Sequence, residues 1–363
     1  MGEIELNIGP VHPATHGVLR LKARVEKDTV LGGDVEIGYL HRAMEKIAEQ
    51  RLFNSFFPNV DKLEYVSALN WEILYASVLE KALGIDIPPR AKYIRVILAE
   101  IQRIMSHLIF IGAFGQDLGN ITVFTWALRE RELLMDIVEK ISGGRLAPMY
   151  LRVGGTEYDL PEGFDSMILP VLDRLEEKVN KDYKAVTYEN SLFKMRTKGV
   201  GVLTRDTVKK YGITGPNMRA SGIERDLRRS EPYFVYDSLD FDIPVEDAGD
   251  SYARFMVRIR EIQESIKILR QAVRALPKGN YINKQPWMFK IPPTEAFVRQ
   301  ECPRGEGAMF LVTDGGMKAY RLKIRSPSFY TVQAMPEIIK GARVADLFTI
   351  IASLDPVMGE VDR

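Results

Sequence analysis

Apolar and polar residues alternate along the first forty positions. Residues 4–8, 18–25 and 30–37 each read as a short, half-buried strand, with Glu26-Lys27-Asp28 and Gly32-Gly33 as the breaks. Between the first two lies Gly9-Pro-Val-His-Pro-Ala-Thr-His-Gly17, too rich in Pro and Gly for regular structure, which predicts a tight loop. From residue 61 the period lengthens to that of a helix. Residues 61–83 form one candidate, stopped by Gly84. A second starts at Pro88-Pro89 and carries Ile94, Ile97, Leu98, Ile101, Ile104, Met105 and Leu108 at the three-and-four spacing of a buried stripe. A third runs from Asn120 through Leu128 and Ile137 to Gly143-Gly144, a fourth spans 161–184, and a charged helix covers 251–276. Five helices of that length predict a bundle. Alternation returns at 296–300, 308–313 and 318–324, with Asp314-Gly315-Gly316 as a hairpin turn between the last two. Short helices at 328–340 and 344–354 and an irregular end, 355–363, complete the chain. The fold class is α+β. A helical bundle core, 61–290, is flanked by an N-terminal β-rich segment, 1–60, that carries the histidine loop, and by a C-terminal β-hairpin and tail, 291–363, all folded as one unit.

Composition narrows the chemistry. The chain has 363 residues, 46% of them hydrophobic, enough for a substantial core. Lys and Arg number 50 against 49 Asp and Glu, so charge gives no case for nucleic acid or for coating an anionic membrane. The single cysteine, Cys302, excludes an intrachain disulfide framework, a thiolate-held iron–sulfur cluster and a four-cysteine zinc site within this chain. A reduced, intracellular compartment is the simplest reading. Residues 1–10 lack the pattern of a secretory signal. The longest uncharged run, 104–116, has 13 residues, short of the roughly 20 that a transmembrane helix needs. A membrane role therefore requires a partner.

Four histidines bound any imidazole chemistry. His12 and His16 sit four apart, but Pro13 and Gly17 argue against a helix there. A loop stiffened in this way presents side chains to a pocket, or uses its imidazoles to hydrogen-bond the turn backbone; both readings stand. No third histidine or cysteine lies near enough in sequence to suggest a metal site. His41 falls where a strand hands over to a helix, with Glu45 and Glu49 spaced as surface partners. His107 sits beside the apolar stripe and fits core packing with one hydrogen bond. Asp117 ends the apolar helix, as an N-cap for the next or as a carboxylate that orients an imidazole. Gly199-Val-Gly201 is a lone Gly-x-Gly, and neither a phosphate-loop Lys-Ser/Thr pattern nor a Gly-x-Ser-x-Gly elbow occurs. No motif marks this chain as holding its own nicotinamide, flavin, metal or cluster.

Seven motifs in order carry a resemblance. Gly9-Pro-Val-His-Pro-Ala-Thr-His-Gly-Val-Leu-Arg20, Gly38-Tyr-Leu-His-Arg42, Asp61-Lys-Leu-Glu-Tyr-Val-Ser67, Pro88-Pro-Arg-Ala91, Asp117-Leu-Gly119, Gly215-Pro-Asn-Met-Arg-Ala-Ser-Gly222 and Ile351-Ala-Ser-Leu-Asp-Pro-Val-Met-Gly-Glu-Val-Asp-Arg363 resemble the quinone-site large subunit of respiratory complex I, the D subunit of NADH:quinone oxidoreductase. That family is related to the large subunits of nickel–iron hydrogenases, which hold metal with two Cys-x-x-Cys pairs. Val357 and Glu360 stand where the second pair would be. The resemblance implies that the hydrogenase site is gone and that the vacated cavity, shared with a small iron–sulfur subunit, receives a quinone.

Carried over residue by residue, His16 and Tyr65 match the pair that hydrogen-bonds the quinone carbonyls, and Asp117 matches the carboxylate paired with the histidine. A quinone that takes two electrons needs two protons. A phenol, ordinarily near 10, and an imidazolium, near 6.5, can each donate one. His12 shares the loop brought to the pocket, Arg42 matches an arginine near the partner's terminal cluster, and Val357 lines the quinone cavity or that neighbourhood. Quinone is then the substrate and the cluster belongs to the partner. Other implied partners are peripheral-arm subunits and a membrane-arm subunit at the quinone channel, with the chain peripheral to the cytoplasmic face of a membrane, or the equivalent side in an organelle, and inactive by itself. Unpairing the carboxylate when the histidine loses its proton is a trigger for proton pumping in the membrane arm. Ala147 departs from the family, which often has a histidine beside the cluster, and Lys62 and Glu64 replace the usual Arg and Asp. Three alternatives stand beside this reading: a related complex fed by ferredoxin or a deazaflavin coenzyme, a hydrogenase-like scaffold without chemistry, and a metal-dependent hydrolase using His12, His16 and an acidic ligand.

Overall fold

The computed structural model describes residues 2–11 and 15–363. The early alternation folds into a three-stranded antiparallel sheet of β1 (Ile4–Ile8), β2 (Arg20–Glu26) and β3 (Thr29–Glu36). Leu21, Ala23, Val25 and Val30 turn inward and are buried, as a period of two requires. Gly33 is obligatory there, because a Cβ would fall 2.6 Å from the Lys22 carbonyl oxygen on the paired strand.

Two helices follow, α1 (Met44–Gln50) and α2 (Phe53–Val60). The single helix expected over 61–83 is divided: residues 61–67 are turns, and α3 begins only at Ala68 (Ala68–Leu83). Local bonds from Lys62, Leu63 and Ser67 amides to the Asn59, Val60 and Glu64 carbonyls take up the backbone groups that a continuous helix would use. The break turns Glu64 inward and Tyr65 outward.

The bundle centre is α4 (Pro89–Asp117), which packs on α3, on α5 (Ile121–Ser142) and on a late helix described below. By length and composition α4 alone among the described residues could cross a bilayer, yet its apolar window is almost wholly buried in the fold. Counting uncharged residues underestimates it. Arg95, Glu100 and Arg103 interrupt the run but are buried as ion pairs, Arg95 with Glu80 and Arg103 with Glu100. Asp117 is the last residue of α4, not the N-cap of α5; that position is Asn120.

A small pair, β4 (Leu151–Arg152) and β5 (Gly155–Thr156), precedes α6 (Phe164–Lys178), which runs on through a π turn at Val179–Tyr183. After a series of short helices comes α7 (Ser251–Arg274), capped where the Asp250 side chain accepts from the Ala253 amide at 2.7 Å. It packs across α4 and α6.

The tail is a second antiparallel sheet, β6 (Thr294–Cys302), β7 (Gly305–Thr313) and β8 (Arg321–Arg325). The tight turn is Pro303-Arg304, with Cys302 paired to Gly305; Asp314-Gly315-Gly316 instead opens a longer loop to β8. Then come α8 (Pro327–Ile338), α9 (Leu347–Leu354) and α10 (Met358–Asp362). The end expected to be irregular is thus a short helix, with Met358, Glu360 and Val361 buried. One apolar cluster joins Val25 of the first sheet, Ile97 and Ile104 of α4, Ile262 of α7, Met309 of β7 and Val361 of α10.

The seam between α4 and α5 depends on Gly112 and Gly115. A Cβ on Gly115 would sit 2.7 Å from Val123 Cβ. Gly115→Ala is therefore expected to push α5 away and to lower stability by about 1–3 kcal/mol, read as a lower urea midpoint with an unchanged slope.

Candidate functional site

The site is closed by the two ends of the chain. Helix α9 stops at Asp355, whose backbone is left-handed (φ 56°, ψ 50°), a conformation that Asp adopts more readily than most residues. Pro356 follows and cannot extend the helix. The chain reverses and runs beside the histidine loop. The His16 amide donates to the Pro356 carbonyl at 3.1 Å, and the Met358 amide donates to the His16 carbonyl at 2.8 Å, which pairs His16 with Val357 in a parallel bridge. The Tyr65 hydroxyl also donates to the His16 carbonyl. Gly17 has φ 113°, and a Cβ there would lie 2.8 Å from Met358 Cβ and 2.9 Å from the Tyr65 hydroxyl, so only glycine lets the three segments meet.

Behind this face is a buried ionic cluster. His16 Nε2 lies 3.0 Å from Asp355 Oδ1. Arg304, from the Pro303-Arg304 turn, donates to the same oxygen through Nη2 at 3.0 Å and to the Asp355 carbonyl through Nε at 3.0 Å. Its Nη1 donates to Ser106 of α4 at 2.7 Å and to Glu64. Glu64 also accepts from Trp71 Nε1 at 2.9 Å, and Glu360 accepts from the Ser328 amide at 2.9 Å. Burial alone would raise the Asp355 carboxyl, but Arg304, His16 and Arg258 outweigh it and hold the group well below the usual carboxylate range. Burial pushes Glu64 up to about 8 and also raises Glu360. It likewise lifts the Tyr65 phenol to about 12, although the residue is 40% exposed. Tyr65 therefore holds its proton throughout the neutral range.

Of the residues singled out from sequence, His16, Tyr65 and Val357 are brought together. Asp117 is not the partner of His16; Asp355 is. The link from His16 through Asp355 and Arg304 reaches α4 at Ser106. Asp117 lies eleven residues further on, about 16 Å along the helix axis. Its Oδ2 is buried without a hydrogen-bond partner, and burial pushes its carboxyl up to about 7. Arg42 is exposed, on a segment pinned to the C-terminus by the Gly38 and Leu40 amides, which donate to the Asp362 carboxylate at 2.8 and 2.7 Å. His41 is 2.6 Å from the Asp362 carbonyl through Nδ1, while Glu45 and Glu49 pair with Arg321 on β8. His107 is buried, with Nε2 2.8 Å from Glu261. His12 lies outside the described residues. Among those described, no group of three or more His, Cys, Asp or Glu is arranged to hold a metal.

A sequence profile of the family described as respiratory-chain NADH dehydrogenase, 49 Kd subunit, matches residues 117–289 and 283–363. The D subunit of the NADH-quinone oxidoreductase of Clostridium beijerinckii is 41% identical over 361 residues, which is 99% of this chain and 97% of the relative. The chain belongs to this family. The D subunit numbered 2 of the Solibacter usitatus enzyme is 42% identical, and the D subunit of the Bacillus cytotoxicus enzyme 40%, each over 361 residues. These relatives are matched over nearly their whole length, and by their names they are parts of an oxidoreductase complex.

Sequence reasoning does not single out Arg304, Asp355 or Glu64 as members of the site. The usable signals are Asp355-Pro356 after the apolar stretch 347–354, which stops a helix, and Pro303-Arg304-Gly305 between two alternating runs. Removing the cation tests the cluster. Arg304→Met leaves Asp355 and Glu64 buried without it, and is expected to cost about 3–5 kcal/mol in denaturant unfolding. Asp355 also sets a pH dependence. Its folded pKa lies below its unfolded value, so its stabilisation is complete above about pH 4 and is lost as pH falls below that. Asp355→Asn should flatten this acid limb of the stability curve.

Proposed function

We propose that this chain forms the quinone-reducing site of a proton-pumping, membrane-associated NADH:quinone oxidoreductase, together with a small iron–sulfur subunit whose terminal cluster supplies the electrons. The observation that carries this reading is the meeting of the partly exposed His16 and Tyr65 over the buried Val357 and Met358, backed by buried fixed charge. Both side chains are proton donors, and two-electron reduction of a quinone consumes two protons. The two therefore match the need in number and in kind.

In this reading Asp355 orients His16 by holding Nε2, which leaves Nδ1 to face the substrate. Tyr65 exchanges its bond to the His16 carbonyl for one to a quinone oxygen, and its raised pKa keeps the proton in place until that oxygen becomes basic. Asp117, with a carboxyl near 7 and no cation beside it, is placed to take up or release a proton near neutrality rather than to orient His16. Val357, expected to line the cavity, is instead fully buried and supports His16 from beneath through the parallel bridge. His12 is included on the family resemblance alone. Arg42, exposed and without an ion pair among the described residues, offers a positive charge to the partner's cluster.

The segment around Ala147 exposes Leu146 at 59% and Met149 at 39%, which suits a face covered by another subunit. Ala147 itself brings no titratable group there. Any proton-linked tuning of the cluster therefore has to come from elsewhere. The remaining peripheral-arm and membrane-arm subunits complete the assembly on the cytoplasmic side, and the chain has no turnover without them. Electron donors other than NADH, and the kind of quinone, are decided by those other chains. Identifying the subunits and quinone that co-purify from native membranes settles both.

Tyr65→Phe in the assembled complex keeps the ring and removes the donor. Quinone reductase activity is expected to fall by about a hundredfold with normal assembly. Unchanged activity with normal assembly overturns the role given to Tyr65.

A further inference from the structure

Three carboxyls, Glu64, Asp355 and Glu360, stand in the buried cluster with two guanidiniums, Arg304 and Arg258; none of the five is more than 3% exposed. With every group ionised, this set carries one negative charge in excess once His16 has given up its proton, in a place water does not reach; while His16 is protonated the charges cancel. Such a charge is costly unless it is protonated. Asp355 is not where the proton goes. It takes a bond from Arg304, lies 3.0 Å from His16, and has Arg258 Nε 3.6 Å from its second oxygen. Glu64 and Glu360 have only Arg304 as a cation in common. Glu360 Oε2 and Asp355 Oδ2 both lack a hydrogen-bond partner, but Asp355 Oδ2 has Arg258 Nε 3.6 Å away, whereas Glu360 enters no ion pair among the described residues, which favours the neutral form at Glu360.

The two glutamates flank the proposed donors. Glu64 precedes Tyr65 in the turn, and Glu360 follows Gly359, where a Cβ would lie 3.1 Å from Tyr65 Cε1. We propose that Glu64 and Glu360 hold one proton between them, and that this proton keeps the buried charge behind Tyr65 neutral once His16 has given up its own. They are positioning residues: neither touches the substrate. The charged and polar groups that face them are Arg304 from the hairpin turn, Asp355 after α9, Trp71 on α3, the Ser328 amide on α8, the buried Cys302 thiol at the end of β6 and the Tyr65 phenol, with His16 and Arg258 acting through Asp355.

The sign of the pH effect follows. Burial places Glu64 near 8, so the pair keeps its proton at neutral pH and loses it to solvent as pH rises through that range. The added negative charge then makes Tyr65 hold its own proton more tightly, and reduction slows on the alkaline side. Replacing either glutamate by glutamine leaves the other as a carboxylate beside Arg304 and Asp355, with no shared proton to titrate.

The functional half of this inference rests on the quinone reading, whereas the proton itself does not, and the test separates them. In the assembled complex at pH 7, the infrared difference between wild type and Glu360→Gln should contain the carbonyl stretch of a protonated carboxyl group. The difference against Glu64→Gln should contain the same band, since either substitution empties the pair. Glu360→Gln is the gentler change, because its amide nitrogen takes the place of the unpartnered oxygen. The alkaline fall of the quinone reductase rate, normalised to each variant's own maximum, should move up by about one pH unit or more in both variants. Absence of the band from both differences overturns the inference, even where Tyr65→Phe behaves as the quinone reading requires. An alkaline limb that stays in place in both variants, with the band lost, overturns the link between the pair and the donors.

Discussion

The structure depends on one buried guanidinium. Arg304 is held in a two-residue turn between β6 and β7, and its guanidinium makes four hydrogen bonds, to Glu64 in the turn before α3, to Ser106 on α4, and to the carboxylate and carbonyl of Asp355 after α9. A lysine could not do this, since a single ammonium lacks the planar fork that serves three directions at once. Removing a charge of this kind from water costs several kcal/mol, and only a full set of partners offsets it. The position of the C-terminal hairpin, the register of the α3 turn and the end of α9 are consequently not independent. Each is fixed by the need to satisfy the same side chain.

That constraint explains how a site can be assembled from opposite ends of the chain. The loop at 15–17 has little structure of its own, and its backbone amide and carbonyl at His16 are satisfied by Pro356, Met358 and Tyr65. Those partners are in place because Asp355 turns left-handed and Arg304 grips it from behind. The open face of the site is thus supported by rigid, buried elements. The groups proposed to meet substrate belong to a loop and a turn laid over them, the usual division between scaffold and function.

Much of this is legible in the sequence, and the limits have physical causes. The bundle helices and the three-stranded sheets follow from periodicity, because each buries one face against a common core. Residues 61–67 read as helix because Val60, Leu63 and Val66 keep a near-helical spacing while the backbone takes turns. The last nine residues read as irregular because five residues of helix leave no periodic trace. At the site, the motifs name His16, Tyr65 and Val357, which adjoin in the structure, but pattern reasoning assumes that charge lies outside. Glu64, Arg304 and Asp355 are buried, and nothing in a single sequence distinguishes a buried charged residue from a solvated one. Their partners are separated by 51 to 339 positions along the chain.

The two aspartates make the same point at higher resolution. Asp355 and Asp117 are chemically identical, and each follows an apolar helical run. Asp355 is surrounded by Arg304, Arg258 and His16 and stays ionised far into acid. Asp117 is half-buried, with no cation beside it among the described residues, and has its carboxyl lifted to about 7. An ionised group with a fixed geometry is suited to orient an imidazole and to stabilise its charged form. A group that titrates near neutrality is suited to gain and lose a proton during turnover. Transferring the orienting role to Asp117 on sequence grounds merges two tasks that the surroundings of the two carboxyls divide. The division is electrostatic, and it is set by whether a guanidinium is within reach.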